Sequence, residues 1–227
     1  MATKSPAKRA YNSSRRSLQA AQTRDEVIRA ATARFSATGW AGTTLAAIAD
    51  AAGVSVETIY NGFGSKKGLL RAAMEAAVVG DTEPIPFVER PEFLDLGTGT
   101  LDERVARGAA VVANTHARSA GVWQAIVEAS SADEEVDAWR HELEKYRRVD
   151  TGRSLERVLG HPVDDQLVSM FWVLYSPEAY LKLVHDSGLS PDEYQALLVD
   201  ASKRLAGVAP ITGPSATAAG KRVRSTS

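Results

Sequence analysis

The residues most able to bind a metal or move protons are four histidines, His116, His141, His161 and His185, and they show no metal-ligand spacing. The chain has no cysteine, which excludes a disulfide framework, a Cys-ligated zinc and a thiol nucleophile, and fits a reducing cytosol. No serine stands in a nucleophile-elbow context. The acidic run Asp133, Glu134, Glu135 and Asp137 falls at an expected helix start, where the helix dipole accounts for it. Gly97-Thr98-Gly99 lacks the third glycine and the preceding strand of a nucleotide fingerprint. No catalytic residue, metal or cofactor is expected from these groups, and an enzyme is the remotest of the readings.

The charged residues point to a different chemistry. Residues 1–71 hold 11 Lys and Arg against 4 Asp and Glu; with chain totals of 27 and 28, the remainder holds 16 against 24. A basic head on an acidic body suits a polyanion that meets the head alone, because Lys and Arg displace phosphate counterions while acids are repelled. Uneven solvated charge would give the same asymmetry. Lys66 and Lys67 sit in the first turn of an expected helix, where the dipole disfavours cations, so an anionic partner explains them better than helix stability does.

These residues need elements to position them. Residues 1–22, rich in Ala, Ser, Lys and Arg, are expected to be a flexible basic arm. A first helix then opens at a Thr23–Glu26 capping box, carries Val27, Ile28, Ala31 and Phe35, and stops at Gly39. Thr43 and Thr44 offer caps for a short helix with Leu45, Ile48, Ala49 and Ala52, ended by Gly53. Ser55 caps the next (Val56, Ile59, Phe63), and Ser65 a fourth (Leu69, Leu70, Ala73, Met74). The head with its connecting helix spans 23–80. Prolines 84, 86 and 91 and glycines 97 and 99 make 81–100 a linker without a sustained helix. From 101 the pattern is helical again, near 101–118, 120–131, 133–159, 163–176, 177–187 and 190–206, with Ser176-Pro177 and Ser190-Pro191 as helix starts. Residues 207–227 are expected to be a disordered tail. No apolar run has the length of a signal peptide core or a membrane span, so the expected location is cytoplasmic. The fold class expected is all-α.

Two short helices joined by a glycine turn, Leu45 to Phe63, match a helix-turn-helix, whose second helix offers side chains to the major groove. The run Thr44-Leu45-Ala46-Ala47-Ile48-Ala49-Asp50-Ala51-Ala52-Gly53-Val54-Ser55, with Thr58-Ile59-Tyr60, Phe63, Ser65-Lys66-Lys67 and Leu69-Leu70, closely resembles the DNA-binding signature of the tetracycline-repressor family. The resemblance covers about residues 23–78. It implies a DNA-binding transcriptional regulator in which Val56, Glu57, Thr58 and Tyr60 face the major groove and Lys66 meets a phosphate. Asn61 is counted with them, although it and Gly62 stand where the family commonly has His and Tyr. Independently, the helix starts at Thr44, Ser55 and Ser65 present free N–H groups suited to phosphates.

Beyond the head, the resemblance lies mainly in length and helical layout. Val163, Leu167, Met170, Phe171 and Leu174 fall along one side of a helix, and Val168, Trp172 and Tyr175 along another. Two apolar faces suit a core on one side and a partner subunit on the other, or a fully buried helix in a monomer. The resemblance implies that this region makes a homodimer with the last helix (Tyr194, Leu197, Leu198, Leu205). Trp123, Trp139, Phe171, Trp172 and Tyr175 are candidates to line a small-molecule cavity, with His116, Gln124 and Asn114 as polar contacts. Plain core is the competing role for each. The expected function is a repressor released from palindromic double-stranded operator DNA by a small apolar ligand; the alternative is a DNA-binding dimer whose body only dimerises.

Overall fold

The computed structural model describes residues 6–83 and 85–207, with side chains from Leu18 onward. Ten α-helices and no strand occur among the described residues: α1 (Pro6–Thr38), α2 (Leu45–Ala52), α3 (Val56–Phe63), α4 (Lys66–Val79), α5 (Pro91–Leu94), α6 (Leu101–Ser130), α7 (Glu134–Leu159), α8 (Asp165–Leu174), α9 (Pro177–Tyr180) and α10 (Pro191–Leu205). The head is built as its hydroxyls dictate. Thr44, Ser55 and Ser65 accept from the main-chain N–H of Ala47, Thr58 and Gly68 at 3.1, 3.1 and 3.0 Å, satisfying one orphan donor at the start of α2, α3 and α4. Gly53 makes the tight turn between α2 and α3 with φ of 65°, a conformation that costs a side-chain-bearing residue energy.

The head's core closes around Phe35, Ile48, Ile59, Leu69 and Leu70, all fully buried. It continues without a break into Val122, Ile126 and Trp139 of the body, so α6 and α7 serve both parts. The 30-residue α6 is the central post: α1, α4, α7, α9 and α10 all pack on it. A second cluster joins α6 to α9 and α10 through Ala109, Tyr180, Tyr194 and Leu198.

Four sequence expectations change here. The helix does not begin at Thr23 but at Pro6, so within 1–22 the backbone from Pro6 onward is helical rather than a flexible arm; residues 1–5 lie outside the described residues. Pro6 stands at the first helical position, where its missing N–H costs nothing, and Ala, Arg, Leu and Gln before Thr23 are good helix formers. The two helices expected at 101–118 and 120–131 are one, because Gly121 serves a close approach rather than a break: a Cβ there would stand 2.7 Å from the Cβ of Ser36 on α1. The stretch 81–100 is a folded strap of two 3-10 turns (Phe87–Glu89 and Asp95–Gly97) around α5. Its Phe93 and Leu96 are buried against Val105 and Val158, and Arg90 grips Asp81 with two bonds of 2.6 and 2.8 Å while Nε donates to the Ile85 carbonyl. The helix expected at 177–187 is α9 followed by a π-helical turn, Leu181–Asp186. The tail beyond 207 lies outside the described residues.

Candidate DNA-binding face and body cavity

On α3 the side chains of Glu57, Thr58, Tyr60 and Asn61 are exposed, Tyr60 at 53 %. Ile59 between them is fully buried and anchors the helix. Val56, expected among the groove-facing residues, is half-buried and packs on the head core, because it sits on the Ile59 side of the helix. The Thr58 hydroxyl lies 2.9 Å from Ser55 Oγ, so capping and groove-facing positions share one hydrogen-bonded start. Arg24 of α1 stacks over the Phe63 ring at 4.5 Å and donates to the Gly62 carbonyl, bracing the helix end that Gly62 would otherwise leave loose.

The two lysines separate in role. Lys66 is half-buried, with Nζ donating to the Trp40 carbonyl and lying 4.0 Å over the Trp40 ring; burial lowers its pKa, against the attraction of Glu128. Lys67 pairs with the acids of the body: its Nζ is 2.6 Å from Glu135 and 3.1 Å from Asp133, and these hydrogen bonds raise its pKa. Its anionic partner is therefore internal. Arg71 adds a contact to Glu135 and stacks over Trp139 at 4.8 Å. The acidic run at the start of α7 thus joins head to body as well as capping its helix.

Inside the body lies a cavity of about 270 Å³ with a predominantly apolar wall. Phe171, Tyr175, Trp123 and His116 line it, four of the six residues expected there. Trp139 and Trp172 do not. Trp139 is taken into the core shared with the head, and the half-buried Trp172 lies under Arg147 and Arg148, whose guanidinium carbons are 5.2 and 5.8 Å from its ring. Gln124 and Asn114 are exposed and away from the cavity. Sequence reasoning missed Phe87 and Leu96 of the strap, Met74 and Val78 of α4, and the α7 stripe Leu143, Arg147, Thr151 and Leu155. The spacing of that stripe was visible as a helical face.

His116 is buried, with Nε2 2.9 Å from the Tyr175 carbonyl oxygen. A carbonyl only accepts, so Nε2 carries the proton. Burial pushes the His116 pKa down to about 4, so the ring is neutral at physiological pH. Tyr175 is also tied through its hydroxyl to Ser202 of α10 at 2.6 Å, and burial pushes that phenol up to about 12. On α8 the inward side carries Val168 and Phe171, and the outward side exposes Met170 at 39 % and Val173 at 61 %. Met170 and Phe171, expected to share a side, are parted because the helix turns Phe171 toward Leu155 and Val168.

Among the described residues no helix is long and apolar enough to cross a membrane, and no group of three or more His, Asp or Glu is placed to hold a metal. No curated protein matches the sequence. The fold is similar to that of a TetR-family transcriptional regulator from Mesorhizobium loti, with a TM-score of 0.61 at 17 % identity, over 83 % of this chain and 97 % of that one. Residues 27–73, which hold the capped helices and the exposed face of α3, match the model of bacterial regulatory proteins of the tetR family. Residues 27–73 thus form a DNA-binding head of the tetR type, carried on a body whose all-α fold is similar to that of the Mesorhizobium loti regulator.

Proposed function

We infer that the protein is a homodimeric repressor that binds a palindromic operator through Glu57, Thr58, Tyr60 and Asn61, and that a small, largely apolar molecule in the body cavity releases it. One observation carries the ligand reading: the cavity wall includes Met74 and Val78 of α4, the helix that follows the recognition helix α3 and holds the head core through Leu69 and Leu70. A molecule that fills the cavity pushes on the element that aims α3. Such a ligand acts only through its preference for one of two states, and a preference of about 1–3 kcal/mol weakens DNA binding roughly 5–150-fold. The outward Met170 and Val173 of α8 support a subunit contact there, since two such faces can cover each other across a two-fold axis.

The test selects bound duplexes from a random pool and measures the affinity of the selected site with and without cavity-sized apolar compounds. The expected result is a palindrome with half-site centres about 34–36 Å apart or a multiple of that, bound by a dimer and released by at least one compound that binds the body. Compounds that bind the body but leave operator affinity unchanged would reduce the function to DNA binding by a dimer without a regulatory ligand.

A further inference from the structure

The cavity wall carries one charge that the fold answers only through a long contact to an exposed partner. Arg147 reaches the wall, but its Nη2 lies 2.5 Å from Glu144 and its Nη1 donates to the Trp172 carbonyl at 2.8 Å, so its charge is balanced within the protein. Asp150, on the same face of α7, has Arg153 as its one ion-pair contact among the described residues, at 3.4 Å, and that arginine is 60 % exposed. The Asp150 side chain is itself only 34 % exposed. It stands at the edge of the cavity: Tyr146, one turn before it, is 67 % exposed, whereas Thr151 and Leu155 on the deeper side of the helix are buried. Burial raises the Asp150 pKa against the pull of Arg153, as expected for a carboxylate without sufficient partners.

His116, also on the wall, has an open acceptor. With its proton on Nε2, the neutral ring leaves Nδ1 as a buried acceptor without a hydrogen bond. The Nε of Arg147 is a donor without a partner, but it belongs to the guanidinium that Glu144 already neutralises. An apolar wall with a carboxylate at its rim attracts a cation and repels an anion, and an exposed tyrosine ring beside the carboxylate adds its negative face to that preference.

We propose that the cavity takes a lipophilic amine, its hydrocarbon body lying along the apolar wall and its protonated nitrogen meeting the Asp150 carboxylate beside Tyr146. This rests on the cavity being a ligand site and names the class of ligand. No covalent step is involved.

The test is calorimetric titration of the full chain at neutral pH with octylamine, octanol and octanoate, which share a hydrocarbon body and differ in the charge of the head. Octylamine binds at least about tenfold more tightly than either of the others, the gain of one charge-assisted hydrogen bond. In Asp150→Asn the amine loses about that factor while octanol binding is unchanged, and an unaltered melting curve shows that the fold is intact. Equal binding of octylamine and octanol, or a preference for octanoate, overturns the assignment and leaves the cavity a ligand site of another class. If none of the three binds, the ligand-site reading falls and the amine falls with it.

Discussion

The Glu128 carboxylate, near the end of α6, accepts from the main-chain N–H of both Trp40 and Ala41, at 2.6 and 3.1 Å. Those amides belong to the corner between α1 and α2, and the Trp40 carbonyl in the same corner receives Lys66 of α4. The body post therefore holds the head by its first turn, and the Lys67–Asp133 and Lys67–Glu135 pairs hold it again from α4. Glu128→Ala removes both bonds, but water can reach the freed amides. The expected cost is about 1 kcal/mol, or a fall in Tm of roughly 2–4 °C for a chain of this size. Glu128→Gln keeps one carbonyl acceptor and recovers part of the loss. Thermal melting of the two variants checks this, and an unchanged Tm for Glu128→Ala would mean that the corner is held by packing alone.

Two glycines in helices should respond in opposite ways. At Gly121 an added methyl would meet the Cβ and Cα of Ser36 at 2.7 and 2.9 Å, and a helix backbone offers no easy retreat. Gly121→Ala is expected to destabilise by about 1–3 kcal/mol by wedging α1 from α6. Gly62, near the end of α3, has nothing within 4 Å of such a methyl, so Gly62→Ala should stabilise by about 0.5–1 kcal/mol. Denaturant titration of both variants reads the signs; stabilisation by Gly121→Ala would overturn the close-approach account.

What could be read from the sequence divides along physical lines. Caps are local, so Thr44, Ser55, Ser65, Ser176 and Ser190 could be identified as helix starts from their own neighbourhoods, and each accepts the expected bond. Thr23 has the same local pattern but lies inside α1, because a capping box acts only where the preceding chain leaves the helix. The strap hides its structure for another reason: Phe93 and Leu96 are held by Val105 and Val158, residues that no local window contains. The head's exposed face follows from the period of a helix anchored by Ile59. The cavity does not follow from aromatic content, since Trp123 and Trp139 are both buried and only contacts between helices decide which of them meets the empty space.

Acid should weaken the body through His116. Its folded pKa of about 4 lies below the ordinary value of 6.5, so between these values the unfolded chain holds a proton that the folded one refuses. Stability is then full above about pH 6.5 and falls as pH drops toward 4, by up to about 3 kcal/mol in total, with no further loss from this group below. Asp133, Glu103 and Glu193, all with lowered pKa values, add their own losses only as pH falls through the carboxylate range. Denaturant titrations between pH 7 and 5 therefore read the histidine, opposed by Asp150, whose raised pKa works in the other sense. His116→Gln, which can still donate to the Tyr175 carbonyl, should flatten the curve in that window; the same slope in both proteins would show that another group titrates there.

Lys66 uses one of its three N–H donors on Trp40, which leaves a positioned ammonium at the start of α4 with two donors for a phosphate. Lys66→Ala should lower the Tm of the head and weaken operator and scrambled DNA alike. The slope of log affinity against log salt should flatten by about 1–2 per dimer. Binding measured across a salt series with no change of slope would mean that the nitrogen stays on the Trp40 carbonyl and never reaches the duplex.

Tyr60 should carry part of the sequence reading. It stands on the exposed side of α3 about one turn after Glu57, with Ile59 behind it fixing the rotation of the helix and Arg24 bracing the end. Thr58, by contrast, has its hydroxyl already engaged by Ser55, and Glu57 can favour only a donor such as the cytosine amino group. Because the ring is more than half exposed, Tyr60→Ala should change stability by less than about 0.5 kcal/mol, so that any loss of binding is a loss of contact. If the ring or its hydroxyl meets a base edge, operator affinity falls by about 1–3 kcal/mol more than affinity for scrambled DNA, and Tyr60→Phe separates the hydroxyl from the ring. The salt dependence of specific binding should be unaltered, since no charge is removed. Equal losses on the two DNAs in Tyr60→Ala would restrict the residue to gripping the backbone and leave discrimination to Glu57, Thr58 and Asn61.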